Sequence, residues 1–207
     1  DLMLVQDTVS TGFPAALVSM LKGKRLVVRV AGDYAWEQGT QRFGVKDSLD
    51  DFQKRSYGIR VWLLRALQRF VVRRAYKVIV PSEYLGRIVS FWGRRFEDIA
   101  VIYNGIELPG PATAPRQKNS IVSAGRLVPW KGFGELIDVV SKHPEWRLSI
   151  YGNGPLYTVL NERMQKSGAR QRMKIETDTA HAGLQKVFRE ASVFVLNSRY
   201  EGMSHTL

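Results

Sequence analysis

The chain has 207 residues, a formal net charge of +12 and no cysteine. A hydrophobic content of 44% is sufficient for a packed core, which excludes an intrinsically disordered chain, and the lack of cysteine excludes a disulfide framework and thiolate chemistry. The basic excess favours an anionic partner and is spread evenly, with 17 basic against 11 acidic residues in 1–110 and 14 against 8 in 111–207.

The first half of the sequence alternates between the periodicities of strands and helices. Short apolar runs predict strands at residues 1–7, 25–30, 77–80 and 99–103. Apolar residues at three- and four-residue intervals predict helices at 13–21, 48–76 and 83–92, the second interrupted near Gly58 and the third capped by Ser82. Residues 32–44 are predicted to form a loop, because they are polar and aromatic and contain glycine.

A linker separates this half from a second half with the same alternation. Residues 111–118 contain two prolines and no apolar periodicity. Beyond them, strands are predicted at 120–124, 147–151, 173–176 and 193–196, and helices at 134–141, 156–165 and 183–190. Strands that alternate with helices on both sides of a linker predict two parallel-sheet α/β domains, residues 1–110 and 119–207.

The segment 123–132, SAGRLVPWKG, follows the first strand of the predicted second domain. It places Arg126 and Lys131 in a loop at the carboxyl end of a parallel strand, where open α/β sheets bind ligands. Two fixed cations there can neutralise a diphosphate and stabilise it as a leaving group. The alternative is that both are surface side chains that flank a turn.

Two further segments also follow predicted strands. In 151–155, YGNGP, Gly152 and Gly154 allow the backbone to approach a ligand and leave N–H groups free, although an ordinary turn has the same composition. In 196–207, LNSRYEGMSHTL, Glu201 and Gly202 precede a predicted helix start, where N–H groups bind anions. A carboxylate repels phosphate, so Glu201 is expected to bind a sugar hydroxyl or, alternatively, to cap the helix.

The order and spacing of these three segments resemble the nucleotide-binding domain of family-4 (group 1) retaining glycosyltransferases. VIYNGIE at 101–107 is similar to the family's interdomain segment, and FVVRRAYKVIVPSEYLGRIV at 70–89 is similar to its preceding strand and helices. The resemblance implies a GT-B fold, in which two Rossmann-like domains flank a cleft. It also implies a nucleoside diphosphate sugar as donor, no metal ion or other cofactor, a glycan or lipid-linked acceptor, and transfer with retention, as in polysaccharide biosynthesis.

The same resemblance assigns roles to residues that match the family's motifs. Arg126 and Lys131 would hold the diphosphate, and Glu201 would face the donor sugar as the first Glu of a Glu-x7-Glu motif, so these three form the predicted catalytic set. The predicted donor-binding residues are Gly125, Gly152, Gly154, Gly202, Met203 and Ser204. The nucleobase is expected near residues 174–177.

The sequence departs from the family's pattern at both ends. The second Glu of the motif would fall at position 209, and the sequence stops at Leu207. The Gly-rich acceptor loop and the first βα units of the family have no counterpart. We therefore expect both domains to be incomplete, the piece itself to be inactive, and its exposed sheet edges to allow self-association.

A third departure concerns the acceptor side. Many members carry a histidine before a Gly-Asp pair, whereas this chain has Ala31 before Gly32 and Asp33. Asp33 and Glu37 are therefore candidates for acceptor contact or proton transfer. In the alternative interpretation, neighbouring aromatic residues anchor a loop and both acids are solvated.

The segment from Lys54 to Lys77 carries eight basic residues and no acidic residue. With Trp62, Leu63 and Phe70, it is predicted to lie on an anionic membrane surface, so that a cytoplasmic enzyme would associate peripherally with the membrane's inner face. The alternative is that its apolar stripe packs on the sheet and its basic face is solvated. No apolar run approaches the ~18 residues of a membrane span.

Three other functions compete with glycosyl transfer. One is nucleotide binding by an inactive relative, favoured by the missing histidine and the missing second Glu. Nucleic-acid binding is disfavoured because no stacking platform or recognition helix is found, and a dinucleotide-dependent oxidoreductase because no G-x-G-x-x-G follows a strand. The three histidines, His143, His181 and His205, have no metal-ligand spacing, so no metal site is expected.

Overall fold

The structure, a computed structural model, describes residues 1–105, 115–179 and 181–203. The chain forms two compact units. Among the described residues, the first unit comprises 1–105 and 200–203, and the second comprises 115–179 and 181–199. The units resemble the two predicted domains, except that residues 200–203 pack with the first unit rather than the second. The first half of the predicted linker 111–118, residues 111–114, lies outside the described residues.

The first unit contains a four-stranded parallel sheet with strand order β1-β2-β3-β4. Its strands are β1 (Leu2–Val5), β2 (Arg25–Arg29), β3 (Lys77–Val80) and β4 (Ile99–Val101). Its helices are α1 (Gly12–Leu21), α2 (Tyr34–Arg42), α3 (Leu49–Lys54), α4 (Ile59–Arg74) and α5 (Glu83–Ser90), with a 3-10 turn at Phe96–Asp98. Val28 pairs with Val78, and both are fully buried at the centre of the sheet.

Local capping sets several helix boundaries in this unit. The hydroxyl of Ser82 accepts a hydrogen bond from the Leu85 N–H at the start of α5, which confirms the predicted cap. Ser48 accepts one from the Asp51 N–H at the start of α3. Gly58 lies between α3 and α4, where the sequence predicted an interruption. These boundaries follow from side chains and backbone conformations within four residues of each helix end.

The prediction of a loop at residues 32–44 is wrong, because α2 occupies most of this segment. Asp33 caps α2 by accepting a hydrogen bond from the Trp36 N–H at 3.0 Å. Trp36 and Gly39, three residues apart, are both buried. A β-carbon on Gly39 would lie 2.9 Å from a methyl carbon of Val45, so the glycine allows that side chain to pack against the helix. The helix therefore depends on tertiary packing that its polar composition did not indicate.

The second unit contains another four-stranded parallel sheet, with strand order β7-β6-β5-β8. Its strands are β5 (Ser120–Ala124), β6 (Arg147–Tyr151), β7 (Met173–Glu176) and β8 (Val193–Phe194). Its helices are α6 (Phe133–Ser141), α7 (Tyr157–Lys166) and α8 (His181–Glu190), with 3-10 turns at Pro129–Lys131 and Arg170–Arg172. The chain adds β6 on one side of β5 and β8 on the other, so the strand order reverses at β5.

Two apolar clusters flank this second sheet. One contains Ile137, Leu148 and Leu160, which come from α6, β6 and α7. The other contains Val122 and Tyr151, with side chains of α8 packed against them. Because successive strand residues point to opposite faces, the two clusters place α6 and α7 on one face of the sheet and α8 on the other. The unit is therefore a doubly wound, Rossmann-like domain.

Candidate functional site

The loop between β5 and α6 holds the two predicted cations at the carboxyl end of β5. Arg126 is exposed, and Lys131 is half-buried at the end of a 3-10 turn. Buried Leu127, Val128 and Trp130 anchor the loop between them. The Lys131 side chain passes over the backbone of Gly125, since its Cε would lie 3.4 Å from a β-carbon at that position. Both cations therefore emerge where the strand order of the sheet reverses.

The three glycines of this region serve backbone packing. Gly125 and Gly152 have φ values of +149° and +147°, which L side chains rarely adopt. A β-carbon on Gly152 would overlap the carbonyl oxygen of Gly125, and one on Gly154 would lie 2.6 Å from the carbonyl oxygen of Leu127. The glycines allow the chain segments after β5 and β6 to lie in direct contact.

The prediction that the glycines of YGNGP leave N–H groups free for a ligand is wrong. The Gly152 N–H donates to the carbonyl oxygen of Glu176 at 2.9 Å, and the Gly154 N–H donates to Asn153 Oδ1 at 2.7 Å. The Gly125 N–H donates to the carbonyl oxygen of Tyr151 at 2.9 Å. The Gly125 and Gly152 donors pair with backbone carbonyl groups and the Gly154 donor pairs with a side chain, so all three are used within the protein.

The segment that follows β8 packs against the loop with the cations. Asn197 Nδ2 donates to the carbonyl oxygen of Gly132 at 3.0 Å, and the Arg199 N–H donates to the carbonyl oxygen of Trp130 at 2.8 Å. Gly132 has φ +66°, and a β-carbon there would overlap Asn197. Ser123 Oγ donates to the carbonyl oxygen of Val195 at 2.6 Å. The contacts of Asn197 and Ser123 were not predictable from the sequence, because their partners lie more than 60 residues away.

The start of α6 adds positive electrostatic potential to the two cations. Gly132 is the N-cap residue, and no side chain caps the helix. The first-turn N–H groups and the helix dipole therefore favour an anion at this end. The first-turn acid, Glu135, forms an ion pair with Arg199 at 3.0 Å, which offsets its negative charge. Arg126, Lys131 and the start of α6 together form the candidate anion site of the second unit.

The residues predicted to face the donor sugar pack within the first unit. The carbonyl oxygen of Gly202 accepts a hydrogen bond from Ser82 Oγ at 2.6 Å, and Met203 Sδ accepts one from the Asn104 N–H at 3.1 Å. A β-carbon on Gly202 would lie 2.5 Å from the carbonyl oxygen of Ala31. Glu201 is half-buried. Arg126 and Lys131 belong to the other unit, and Ser204 lies outside the described residues.

Asp33 is a buried capping residue, which corrects the prediction of an acceptor contact. Its side chain is fully buried, and its oxygens accept hydrogen bonds from Gln53 Nε2 at 2.8 Å and Gln68 Nε2 at 3.1 Å, besides the Trp36 N–H. Burial raises the pKa of Asp33 above its ordinary value, although these hydrogen bonds act in the opposite direction. Asp33 has no exposed oxygen with which to contact an acceptor.

Glu37 lines a small polar cavity of the first unit. The cavity has a volume of about 190 Å³ and lies beyond the carboxyl ends of β1 and β2. Gln6, Thr8 and Tyr34 line it together with Glu37. Thr8 is 2% exposed, and its hydroxyl has no hydrogen-bond partner within the described part of the chain. The cavity therefore offers a half-buried carboxylate and an unsatisfied hydroxyl to a polar ligand.

Family models match both halves of the sequence. The model of the glycosyl transferase 4-like domain matches residues 1–105, and that of the group 1 glycosyl transferases matches residues 107–207. The chain belongs to the family-4, group 1 glycosyltransferases. The predicted family and the two parallel-sheet, Rossmann-like domains of the GT-B fold are thereby confirmed.

Known proteins resemble this chain over different shares of their length. It is 30% identical over 94 residues to the amylovoran biosynthesis glycosyltransferase AmsD of Erwinia amylovora, a match that covers 44% of the chain and 26% of AmsD. The sucrose-phosphate synthase structure from Thermosynechococcus elongatus matches 99% of the chain with a TM-score of 0.72 and 17% identity. A structure of HepE of Anabaena with UDP and glucose matches 94% with a TM-score of 0.69 and 18% identity.

The chain spans about a quarter of the length of the curated relative and 52% of each of these two solved structures. At these identities, the solved structures show the shared fold. No group of three or more His, Cys, Asp or Glu side chains in the described residues is arranged to hold a metal ion.

Among the described residues of this chain, no helix is both long enough and apolar enough to cross a membrane.

Proposed function

We propose that the protein transfers a glycosyl group from a nucleoside diphosphate sugar to a hydroxyl group of an acceptor. The bond between the sugar's anomeric carbon and the diphosphate oxygen breaks, and a bond from that carbon to the acceptor oxygen forms. The acceptor hydroxyl gives its proton to the nucleoside diphosphate, which leaves with the electron pair of the broken bond. The chief requirement is therefore to stabilise negative charge on the departing diphosphate.

The observation that carries this proposal is the position of Arg126 and Lys131 beside the start of α6, where the strand order of the second sheet reverses. Ligands of open α/β sheets bind beyond the carboxyl ends of the strands at such a reversal. Two side-chain cations and a helix N-terminus supply positive charge to a diphosphate without a metal ion, so we propose catalysis without a metal or other cofactor.

The names of related proteins support a sugar nucleotide as donor and a glycan as acceptor, and we propose that the acceptor is a glycan or a lipid-linked glycan. HepE structures hold UDP or UDP-glucose, and a TarM structure from S. aureus holds UDP with fondaparinux and alpha-GlcNAc-glycerol. AmsD is named for amylovoran biosynthesis.

We also propose retention of configuration, which the family resemblance implies. Anomeric analysis of the first product by proton NMR tests it, and an inverted product would contradict it.

The remaining predicted residues take proposed roles on the sugar and the acceptor. We propose that Glu201 accepts a hydrogen bond from a donor-sugar hydroxyl, with the backbone of Gly202 and Met203 beside it. The half-buried carboxylate of Glu37 and the unsatisfied hydroxyl of Thr8 support a role for their cavity in binding an acceptor hydroxyl. We propose a cytoplasmic location, where nucleoside diphosphate sugars would be available to the enzyme.

The proposed diphosphate site is tested by measuring donor binding and glycosyl transfer with the protein expressed from its full natural reading frame. Arg126→Gln and Lys131→Gln are expected to weaken binding of UDP, GDP or ADP sugars by about tenfold or more, since each removes one charge-assisted contact. The matched control is Arg147→Gln, because Arg147 is exposed at the amino end of β6, the opposite edge of the same sheet.

Unchanged donor binding in both variants, or an equal loss in Arg147→Gln, would contradict the proposed site. Binding without transfer to any hydroxylated acceptor would instead favour the inactive, nucleotide-binding alternative.

We also propose self-association through exposed strand edges, because Leu2 and Leu4 of edge strand β1 are more than half exposed. Light scattering at two protein concentrations tests it, and a strictly monomeric mass would refute it.

A further inference from the structure

Helix α4 presents an apolar stripe to solvent instead of burying it on the sheet. Ile59 is 74% exposed, Trp62 59% and Leu63 51%. Phe70 continues the stripe and packs edge-on against Phe13 of α1, with 5.9 Å between the ring centroids. These positions are separated by three, four and seven residues, so they lie along one side of the helix. An exposed stripe of this kind marks an interaction surface.

Helix α1 extends the apolar surface. Leu17 and Leu21 follow Phe13 at four-residue intervals and therefore lie on the same side of α1 as the ring that contacts Phe70. Leu21 is 84% exposed. The two helices thus share one continuous exposed face of the first unit. This exposed face of α1 and α4 is defined by Leu17, Leu21, Ile59, Trp62, Leu63 and Phe70.

Basic side chains form a groove beside this exposed face. The groove has a volume of about 720 Å³ and is lined by the end of α3, the segment that joins α3 to α4, and α4, without an acidic residue. Trp62 and Phe70 of the exposed face also line it. Arg65 holds this segment in place, because its guanidinium donates to the carbonyl oxygens of Arg55 and Gln53 at 2.7 and 3.0 Å. Tyr57 holds it too, through a 2.6 Å hydrogen bond from its hydroxyl to Asp47.

Three other cations of the groove are available to a ligand. Within the described part of the chain, Lys54, Arg69 and Arg74 form no hydrogen bond or ion pair, and all three are exposed. At 100° per residue, Arg69 and Arg74 lie on opposite sides of the line through Leu63 and Phe70. The apolar stripe is therefore flanked by positive charge on both sides.

We infer that the exposed face of α1 and α4 docks on a bilayer that carries anionic lipids, with lipid phosphates in the groove and the apolar stripe at the boundary between headgroups and acyl chains. Charge complementarity selects an anionic partner, and the exposed aliphatic side chains select one with an apolar phase. A hydrated polyanion, such as a nucleic acid or an acidic glycan, has no apolar interior in which the side chains of Ile59 and Leu21 could be buried. A cationic surface with outward-facing Trp and Leu is the composition of interfacial helices.

The inference is tested by sedimentation of the protein with vesicles, without nucleotide sugar, so that the result does not depend on the donor site. Binding is expected with about 30% anionic phospholipid at about 0.05 M salt and not with zwitterionic vesicles. Arg69→Gln with Arg74→Gln is expected to lower the partition coefficient roughly 30-fold, about fivefold for each cation near the surface. Trp62→Ala is expected to lower it about tenfold, through lost apolar burial.

The matched control is Lys142→Gln with Arg147→Gln, which removes the same net charge from exposed positions of the second unit. It is expected to retain binding. Equal losses in the two double variants would overturn the inference, as would the absence of vesicle binding at low salt. Binding to a soluble acidic glycan with the same dependence on Trp62 would also overturn it, by replacing the bilayer with a polyanion. Circular dichroism checks that each variant is folded.

Discussion

The backbone of Gly152 lies against the carbonyl oxygen of Gly125, so closely that a β-carbon on Gly152 would overlap that oxygen. This contact joins the carboxyl ends of β5 and β6, directly beside the loop with the proposed diphosphate cations. Gly125 and Gly152 also share an unusual backbone conformation, with φ near +150°. The glycines therefore determine the shape of the site, although their N–H groups are used within the protein.

Gly152→Ala is expected to destabilise the second unit by about 2–4 kcal/mol, because it combines a strained φ with a steric overlap that only backbone movement can relieve. Urea unfolding and hydrogen exchange of the β5 and β6 amides measure the change. Gly168→Ala is the control, since Gly168 has φ +70° but nothing within 4 Å of its β-carbon position. It should cost about 1 kcal/mol, and equal losses in both variants would show that overlap contributes nothing.

Arg172 is expected to be a major stabilising side chain of the second unit. Its guanidinium donates to the carbonyl oxygens of Val140, Ser141, His143 and Trp146 at 2.7–3.0 Å, and so satisfies the end of α6. Arg172→Met should lower the free energy of unfolding by about 2–3 kcal/mol. Arg172→Lys should recover less than half, because an ammonium lacks the planar fork.

The control for this prediction is Lys166→Met, which removes a basic residue from the last turn of α7. A loss of only a few tenths of a kcal/mol is expected there. If both variants lose the same stability in urea unfolding, the four hydrogen bonds of Arg172 contribute no more than a surface charge.

Asp33 is expected to stabilise the first unit through its hydrogen bonds. Asp33→Ala removes the cap of α2 and the acceptor of the Gln68 amide, and it leaves the Gln53 amide with the more distant carbonyl oxygen of Leu49 at 3.3 Å. We expect a loss of about 3 kcal/mol in urea unfolding at neutral pH. A loss below about 1 kcal/mol would show that the glutamine side chains find other acceptors.

The same carboxyl group is expected to make stability depend on pH. Because burial raises its pKa in the folded protein above the ordinary 3.8, the folded state binds the proton more tightly than the unfolded state. The contribution of Asp33 is therefore greatest below pH 3.8 and falls as pH rises through the folded pKa. Asp33→Asn cannot ionise and should remove this decline from unfolding curves measured against pH.

The pKa of Asp7 is shifted in the opposite direction to that of Asp33. Burial raises the pKa of Asp7, but hydrogen bonds from Thr11 and from backbone N–H groups outweigh it, and the net pKa is lowered. Its contribution is thus present above pH 3.8 and lost as pH falls through the folded pKa. Asp7→Asn should remove an acid-side loss of stability. Parallel pH profiles for the two Asn variants would contradict both assignments.

Tyr200→Phe is expected to raise stability by about 1 kcal/mol, which is unusual for a buried substitution. Tyr200 is 8% exposed, and its hydroxyl has no hydrogen-bond partner among the described residues. The ring contacts Trp36 edge-on at 5.3 Å, a contact that phenylalanine preserves. Tyr84→Phe is the control, because it deletes a 2.9 Å hydrogen bond to Asp50 and should cost about 0.5–1 kcal/mol. A loss of stability in Tyr200→Phe would reveal a bound water or ligand on its hydroxyl.

Local sequence patterns predicted much of the strand and helix content. The bounds of β3, β5, β6 and β7 agree with the predicted ranges, because a run of apolar residues between turn residues suffices to define a buried parallel strand. The break at Gly58 and the cap at Ser82 were likewise predictable. Helix α2 was not, because its stability depends on burying Trp36 and on Gly39 accommodating Val45, residues of a different segment.

The sequence by itself determined the α/β class, the family and the presence of two cations after a strand, since these follow from short motifs and local periodicity. The tertiary structure decided what the motifs do. It paired the loop at Arg126 and Lys131 with Asn197, buried Asp33 as a cap, and assigned Gly152 and Gly154 to backbone packing. Each of these outcomes depends on contacts between residues far apart in the chain, whose distances no local pattern encodes.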